Sequence, residues 1–345
     1  MDNNDLDAIP IPLILIGSNE YVEYVNPPAM DLLGRGIAGC HYATVLRQPA
    51  LFDAIDSVFK TGTDCNVTYH SSIGDQEAYY NATCALVGKT SKDKCGVLVS
   101  FVDVSQQQDA DQMRSDFVAN VSHELRSPLT SLLGFIETLR GSARDDVDAR
   151  DRFLVIMERE ARRMTRLVRD LLSLSRVEAE ERVRPTGIVD ISRVILTSIQ
   201  TLKPMAEDTK VTVSFEAIED GLAEVRGDED QLQQVFVNLI ENAIKYGGQG
   251  GRVDVQIEKS EHEAGLRGPA VRICITDFGE GIPQLHIPRL TERFYRIDSH
   301  RSREMGGTGL GLAIVKHIVN RHRGRLRISS VKGQGSQFTV ILPAP

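Results

Sequence analysis

The spacing of apolar residues changes character twice along this chain, and each change marks a different kind of structure. Between residues 8 and 104, short apolar runs (PLILIG, YVEYVN, NVTYH, AYYNATCALVG, CGVLVSFVDV) alternate with turn residues. Two helical stretches, PPAMDLLG and ALFDAIDSVFKTG, sit among the early runs. The order is strand, strand, helices, then three strands, an α+β pattern. From Val104 to about Arg182 the period becomes helical. Val118, Val121, Leu125, Pro128, Leu132, Phe135 and Leu139 are alternately three and four apart, and after the polar turn GSARDDVDAR the same spacing returns in Leu154, Met157, Ala161, Met164, Val168, Leu171 and Ser175. Two heptad helices joined by a short acidic turn form an antiparallel hairpin. One hairpin cannot hide both seams. Pairing two of them into a four-helix bundle does, which predicts a homodimer through residues 105–182. From about residue 187 strands (VTVSFE, GRVDVQIE, AVRICITD, RLRISS, SQFTVILP) mix with long amphipathic helices. That is the pattern of helices layered over a mixed sheet. VRPTGI (183–188) reads as the linker before it.

Composition narrows the class. With 345 residues the chain holds two or three domains, and 41% apolar with 26% charged residues fits globular folds. A net charge of −8 argues against a nucleic-acid partner. Cys40, Cys65, Cys84, Cys95 and Cys274 lack metal-ligand spacing and read as reduced thiols of a cytoplasmic protein. The run IPIPLILIG is too short to cross a bilayer and carries two prolines, so no direct membrane span is expected and any membrane association is peripheral.

The candidate chemistry begins at His123. At 100° per residue it lies 200° from Val121 and about 160° from Leu125, so it faces solvent. Alone, it would read as an ordinary surface histidine. Its neighbours change that reading. Pro128 cannot donate to the Glu124 carbonyl, and proline in a helix interior costs about 3 kcal/mol. Imidazole is nucleophilic when one nitrogen is bare and the other is held by an acceptor, a role open to Glu124. Ser127, one turn on, shares the face of His123, where its hydroxyl could hold a water.

Downstream, Asn238, Glu241, Asn242 and Lys245 share one helix face opposite Val235, Leu239 and Ala243. An amide oxygen on that face suits a hard cation such as Mg²⁺, although a solvated polar face has the same pattern. In DFGEGIP, Asp277 can accept from the amino group of an adenine while Gly279 and Gly281 let backbone approach the ring. GGTGLGL (Gly307, Gly309, Leu310, Gly311) leads straight into AIVKHIVNRH, and glycine-rich turns at helix N-termini bind phosphate. Between these glycine runs lie ERFYR, Arg301, Arg303 and Gly306, the composition of a mobile lid in which Arg296 is the candidate for a γ-phosphate.

Taken in this order, FVANVSHELRSPLTSLLGF, NLIENAIKYG, DFGEGIP, ERFYR and GGTGLGL resemble the bacterial two-component sensor histidine kinases, from about residue 105 to the C-terminus. The strand and helix order before it, with FVDVS leading into a helix, looks like a PAS sensor domain. The resemblance implies an α+β multidomain fold: a PAS-like domain over 8–104, a dimeric phosphotransfer hairpin over 105–182, and an α/β-sandwich ATP-binding domain of the GHKL (Bergerat) type over 187–345. It implies ATP and Mg²⁺, with Asn242 on the metal, Asn238 in support, and Lys245 and Tyr246 on the phosphates. It also implies that His123 accepts the phosphoryl group, that Glu124 assists, and that the position of Ser127 supports dephosphorylation. The family more often has Thr or Asn there. The implied partner is the receiver domain of a response regulator. FVANVSHELRSPLTSLLGFIETL and LTERFYRID are typical of phosphate-regulon sensor kinases. The alternatives are a PAS histidine kinase for another signal, or a GHKL-type ATPase or scaffold without phosphotransfer. A clamp ATPase would lack the histidine hairpin, and a scaffold would be expected to lose one of His123, Asn242, Asp277 or the glycines.

Overall fold

A computed structural model of the chain describes residues 6–73, 76–88, 95–181, 183–217, 223–247, 250–261, 263, 268–298 and 307–345. The chain divides into two compact units, residues 1–119 and 120–345, and the boundary falls inside a long helix.

In the first unit, β1 (Leu13–Ile16), β2 (Val22–Val25), β3 (Cys65–Ile73), β4 (Gln76–Val87) and β5 (Gly96–Asp103) form an antiparallel sheet in the order β2-β1-β5-β4-β3. The segment between β2 and β3 holds α1 (Pro27–Leu33), α2 (Tyr42–Val45) and α3 (Pro49–Thr61). In β5 the period of two is plain: Val97, Val99 and Phe101 are buried, their neighbours less so. They meet Leu51, Ile55 and Val58 of α3 in one core. Asn26 fixes the entry to the helices. Fully buried, its side chain accepts from the N–H groups of Leu13 and Ala29, capping α1, and donates to the carbonyls of Ile9 and Ile11.

The helix at the boundary is α4 (Ser105–Arg140), and α5 (Val147–Glu180) follows after a turn in which Asp146 caps the new helix through the Ala149 N–H. Pro128 does not break α4. It is buried on the inward face with half-buried Val121, Leu125, Leu132, Phe135 and Leu139 beside it. Phe135 stacks against Phe153 of α5 with ring centroids 5.2 Å apart. On α5 the heptad expected from the sequence is only partly the inward one. Met157, Met164 and Leu171 face inward, but with Leu167, Leu174 and Val177, while Leu154, Ala161, Val168 and Ser175 are exposed. The apolar arc of α5 is wider than one seam: it meets α4 of the same chain at Phe135–Phe153 and also packs against the helix Gly311–Arg321.

The rest of this unit is a sheet of β7 (Thr212–Glu216), β9 (Arg252–Ser260), β10 (Ala270–Asp277), β11 (Arg325–Val331) and β12 (Gly335–Pro343) in the order β11-β12-β10-β9-β7. Its strands pair antiparallel except β7 with β9. The helices α6 (Ile191–Thr209), α7 (Glu229–Gly247) and α8 (Gly311–Arg321) pack on it, with α7 between the other two. A short pair, β6 (Ile188–Asp190) and β8 (Glu224–Arg226), leads into α6 and α7. Among the described residues no helix is long and apolar enough to cross a membrane.

His322, fully buried at the end of α8, ties this domain together. Its Nε2 accepts from the Asp228 N–H at 3.0 Å and its Nδ1 faces the Ile318 carbonyl at 2.7 Å. Only the neutral ring protonated at Nδ1 satisfies both, and burial, first among the causes, pushes its pKa below the ordinary 6.5. The unfolded chain then binds a proton that the folded one refuses. Stability is therefore full above pH 6.5 and falls as the pH drops from 6.5 toward the lowered value. Thermal melts between pH 5 and 8 should show this loss, and His322→Gln should be less stable throughout but flatter in that window. A parallel slope in the variant would place the titrating group elsewhere.

Candidate active site

His123 is exposed on α4, and Ser127 is exposed one turn along the same face. Glu124, on the adjoining face, turns inward. Its Oε2 takes the Arg163 guanidinium of α5 at 2.7 Å, and its two oxygens take Arg296 at 3.2 and 3.4 Å. Arg296, with a side chain only 6% exposed, comes from the ERFYR segment more than 170 residues away.

Close backbone approach brings that segment to the glycine run. Phe294 donates its N–H to the Gly309 carbonyl at 2.9 Å. Gly309 has φ of 74°, and a Cβ there would stand 2.9 Å from the Phe294 Cα and 3.2 Å from the Arg296 Nε. Only glycine fits. The run then enters α8, and Asn238 on α7 donates to the Gly311 carbonyl at 3.5 Å, at the limit of a hydrogen bond. Gly307 is half-buried and Leu310 buried, whereas Arg301, Arg303 and Gly306 lie outside the described residues.

On α7, Asn238, Glu241, Asn242 and Lys245 are half-buried along one face, and Tyr246 is 41% exposed at the end. Lys245 is held by Glu241 at 2.6 Å, and Glu241 in turn meets Arg166 of α5 at 3.6 Å. Asp277, at the end of β10, is buried beside the end of α7. A Cβ on Gly247 would collide with the Asp277 side chain, and one on Gly279 would stand 2.7 Å from the Gly247 Cα and the Tyr246 carbonyl. These two glycines let α7, β10 and the DFGEGIP turn close around one carboxylate. Gly281, at φ of 68°, completes the turn against the Val331 carbonyl. Asp277 accepts from the Gly279 N–H at 3.0 Å and is paired in register with Ser336 of the GQGSQF turn. Burial raises its pKa, opposed by hydrogen bonds from Gly279 and Ser336.

The fold thus gathers Asp277, Gly279 and Gly281 with the end of α7, gathers Asn238 with Gly311, and gathers Arg296 with Gly309 and Glu124. It does not draw His123 or Ser127 into the nucleotide cluster; Glu124 makes that link. Several participants were not singled out from the sequence. Thr308 donates its hydroxyl to Asp170 of α5 at 2.7 Å, Ser173 bonds Gln234 at 2.9 Å, and Arg293 meets Glu178 at 2.6 Å. Asp170 is an ordinary polar position of a helix, so nothing in the sequence marks it. Glu160 and Arg163 carry a signal that was there to be read: both are charges at inward positions of an otherwise apolar stripe.

Two family models match. One, "His Kinase A (phospho-acceptor) domain", covers residues 113–180, and the other, "Histidine kinase-, DNA gyrase B-, and HSP90-like ATPase", covers 227–345. The chain belongs to the two-component sensor histidine kinases. It is 40% identical over 237 residues (69% of this chain, 52% of the relative) to "Phosphate regulon sensor protein PhoR" of Pseudomonas aeruginosa. It is also 32% identical over 343 residues (96% and 53%) to "Sensor histidine kinase WalK" of Bacillus subtilis. The chain spans about half the length of these curated relatives. A crystal structure of histidine kinase ThkA in complex with response regulator protein TrrA has the same fold, with a TM-score of 0.53, 20% identity and coverage of 100% of this chain and 99% of that one.

The buried Asp277 yields a direct test. Asp277→Asn keeps an oxygen for the Gly279 N–H and removes a charge that burial disfavours. The thermal midpoint of this variant should equal or exceed the parent's. A clear drop would mean that the ionised carboxylate is part of what holds the domain together.

Proposed function

We propose that this kinase uses ATP to phosphorylate His123 and passes the phosphoryl group to an aspartate on the receiver domain of a response regulator. The observation that carries the reading is the Glu124–Arg296 ion pair, which joins the nucleotide domain to the residue beside His123. In the transfer, a lone pair on the imidazole attacks the γ-phosphorus and the bond to the bridging oxygen breaks. ADP leaves with that electron pair, and the imidazole proton passes to Glu124. Before the attack, Arg296 exchanges the carboxylate for the γ-phosphate, a trade of one oxyanion for another in fork geometry. In the second step a carboxylate oxygen of the receiver attacks the phosphorus, the P–N bond breaks, and Glu124 returns its proton to the leaving imidazole, which restores neutral histidine.

The remaining roles are those that the family resemblance implies. Asp277 accepts from the adenine amino group, and Gly279 and Gly281 admit the ring. Lys245 and Tyr246 face the phosphates, as do the amides of Gly307, Gly309, Leu310 and Gly311 at the start of α8. Asn242 offers an amide oxygen, and Asn238 steadies it from one turn before. That donor set suits Mg²⁺, which binds few protein oxygens and shares the phosphates; when bound it neutralises charge on the transferring group. Ser127 orients a water for dephosphorylation of the receiver.

The homodimer reading is supported by apolar residues left on the hairpin surface: Leu129, Leu133 and Ile136 on α4, Leu154, Val168 and Leu172 on α5. We assign residues 8–104 to a PAS-like sensor domain; in support, two strands, the helices and then three strands follow one another along the chain, the order read from the sequence. The 40% identity to a phosphate-regulon sensor favours phosphate control. A second reading, a different signal read by the PAS-like domain, is favoured by the match to WalK, because at 96% of the chain it must include the first unit.

Labelled ATP with Mg²⁺ should give an acid-labile, base-stable label. His123→Ala should abolish that label while ATP still binds, and a label retained would refute the phospho-acceptor. Asn242→Asp and Asp277→Asn should lose nucleotide use without unfolding, and normal ATP affinity of the Asp277 variant in calorimetry would move the base pocket. Ser127→Ala should keep most autophosphorylation yet dephosphorylate the receiver roughly tenfold more slowly, on the order of 1.4 kcal/mol. An unchanged rate would put that activity elsewhere. Light scattering should find a dimer of the whole chain at micromolar concentration; a monomer overturns the bundle.

A further inference from the structure

The inward stripe of α5 is apolar along most of its length, through Phe153, Ile156, Met157, Met164, Leu167, Leu171 and Leu174. At the level of Glu124 it changes character. Glu160 and Arg163 occupy inward positions there, and their side chains are only 21% and 13% exposed. Arg162, the preceding residue, is 77% exposed and bonds Glu158 of its own helix. Arg163 instead reaches across the hairpin to the Glu124 Oε2 at 2.7 Å, with Glu160 at 3.6 Å behind it. A charged layer inside a hairpin is a poor way to gain stability, since well-packed apolar residues usually do as well or better. Its place beside the phospho-acceptor calls for another reason.

We infer that Arg163 is a positioning residue for phosphorylation of His123, acting through Glu124; this rests on the kinase reading above. Glu124 lies 100° round α4 from His123, and a glutamate free to rotate would spend little time where the imidazole proton needs it. Two guanidiniums hold it in this structure, but one of them, Arg296, must leave for the γ-phosphate. Arg163 belongs to the hairpin itself and stays. It keeps the carboxylate fixed through the step in which Arg296 changes partner. Proton and phosphoryl transfer are those already written, and Arg163 touches neither reacting atom.

The experiment compares the parent chain with Arg163→Met, Arg163→Lys, Glu124→Gln and the Arg163→Met/Glu124→Gln double variant. Single-turnover labelling of His123 is followed over a range of ATP concentrations. Arg163→Met should lower the rate at saturating ATP by tenfold or more while the ATP dissociation constant changes less than twofold. Arg163→Lys should recover part of the rate, because a cation returns without the fork. The double variant should be no slower than Glu124→Gln alone, the non-additivity expected of residues acting as one unit. A residue that merely supports the hairpin would give losses that multiply, which overturns the proposal even if Arg163→Met is poorly folded. Saturated labelling at the parental rate in Arg163→Met overturns it as well. A parent that takes no label would instead refute the kinase reading on which the inference stands.

Discussion

One carboxylate, that of Glu124, is the point on which the second unit turns. Two guanidiniums converge on it, one from the hairpin and one from the nucleotide domain. Without the acid between them, Arg163 and Arg296 would bring two largely buried positive charges together, and breaking a buried pair commonly costs about 3–5 kcal/mol. The same carboxylate lies one residue from His123, the proposed phospho-acceptor. Its position therefore ties two things together: how the hairpin packs and where the nucleotide domain sits.

The nucleotide pocket depends on a different constraint, the absence of side chains. Asp277 can be buried at the end of β10 because Gly247 and Gly279 let the end of α7 and the following turn close over it. The resulting carboxylate is held in a place that disfavours its charge. Under the proposed function, stability and binding pull in opposite directions at this residue. The glycines concentrate that conflict into a single atom group while the sheet around it remains regular.

Much of this was legible in the sequence, for reasons that can be named. The strands and helices follow from period, and the site motifs are short runs whose residues act from one turn or one helix face. In DFGEGIP the glycines were expected to let backbone approach a ring; the structure shows them letting backbone approach backbone, at Gly247 and Val331. What the sequence obscured depends on which of two adjacent stripes a helix turns inward. On α5 both stripes share Met157, Met164 and Leu171, so the apolar pattern fits either, and the heptad through Leu154, Ala161 and Val168 is the outward one. The long-range partners were hidden for a related reason. Asp170, Thr308 and Arg163 are unremarkable polar residues until the fold sets them opposite one another.

The contacts between α5 and the nucleotide domain also explain why that face is polar. Thr308 with Asp170, Ser173 with Gln234, Arg293 with Glu178, His317 with Glu181 and Arg321 with Glu180 bridge the two by hydrogen bonds and ion pairs. Such pairs exchange readily with water, and each exposed ion pair is worth roughly 0–1 kcal/mol. A greasy interface of the same extent would hold the domain in one place. Under the proposed function the domain must come to His123 and then withdraw for the receiver, which calls for an attachment that is specific in register yet cheap to break. Polar pairing meets both demands, because the geometry of several directed bonds selects one seat while water offers nearly equivalent partners on leaving. Salt should loosen this seat far more than it loosens the apolar packing between α4 and α5, since screening weakens charges and leaves buried hydrocarbon untouched.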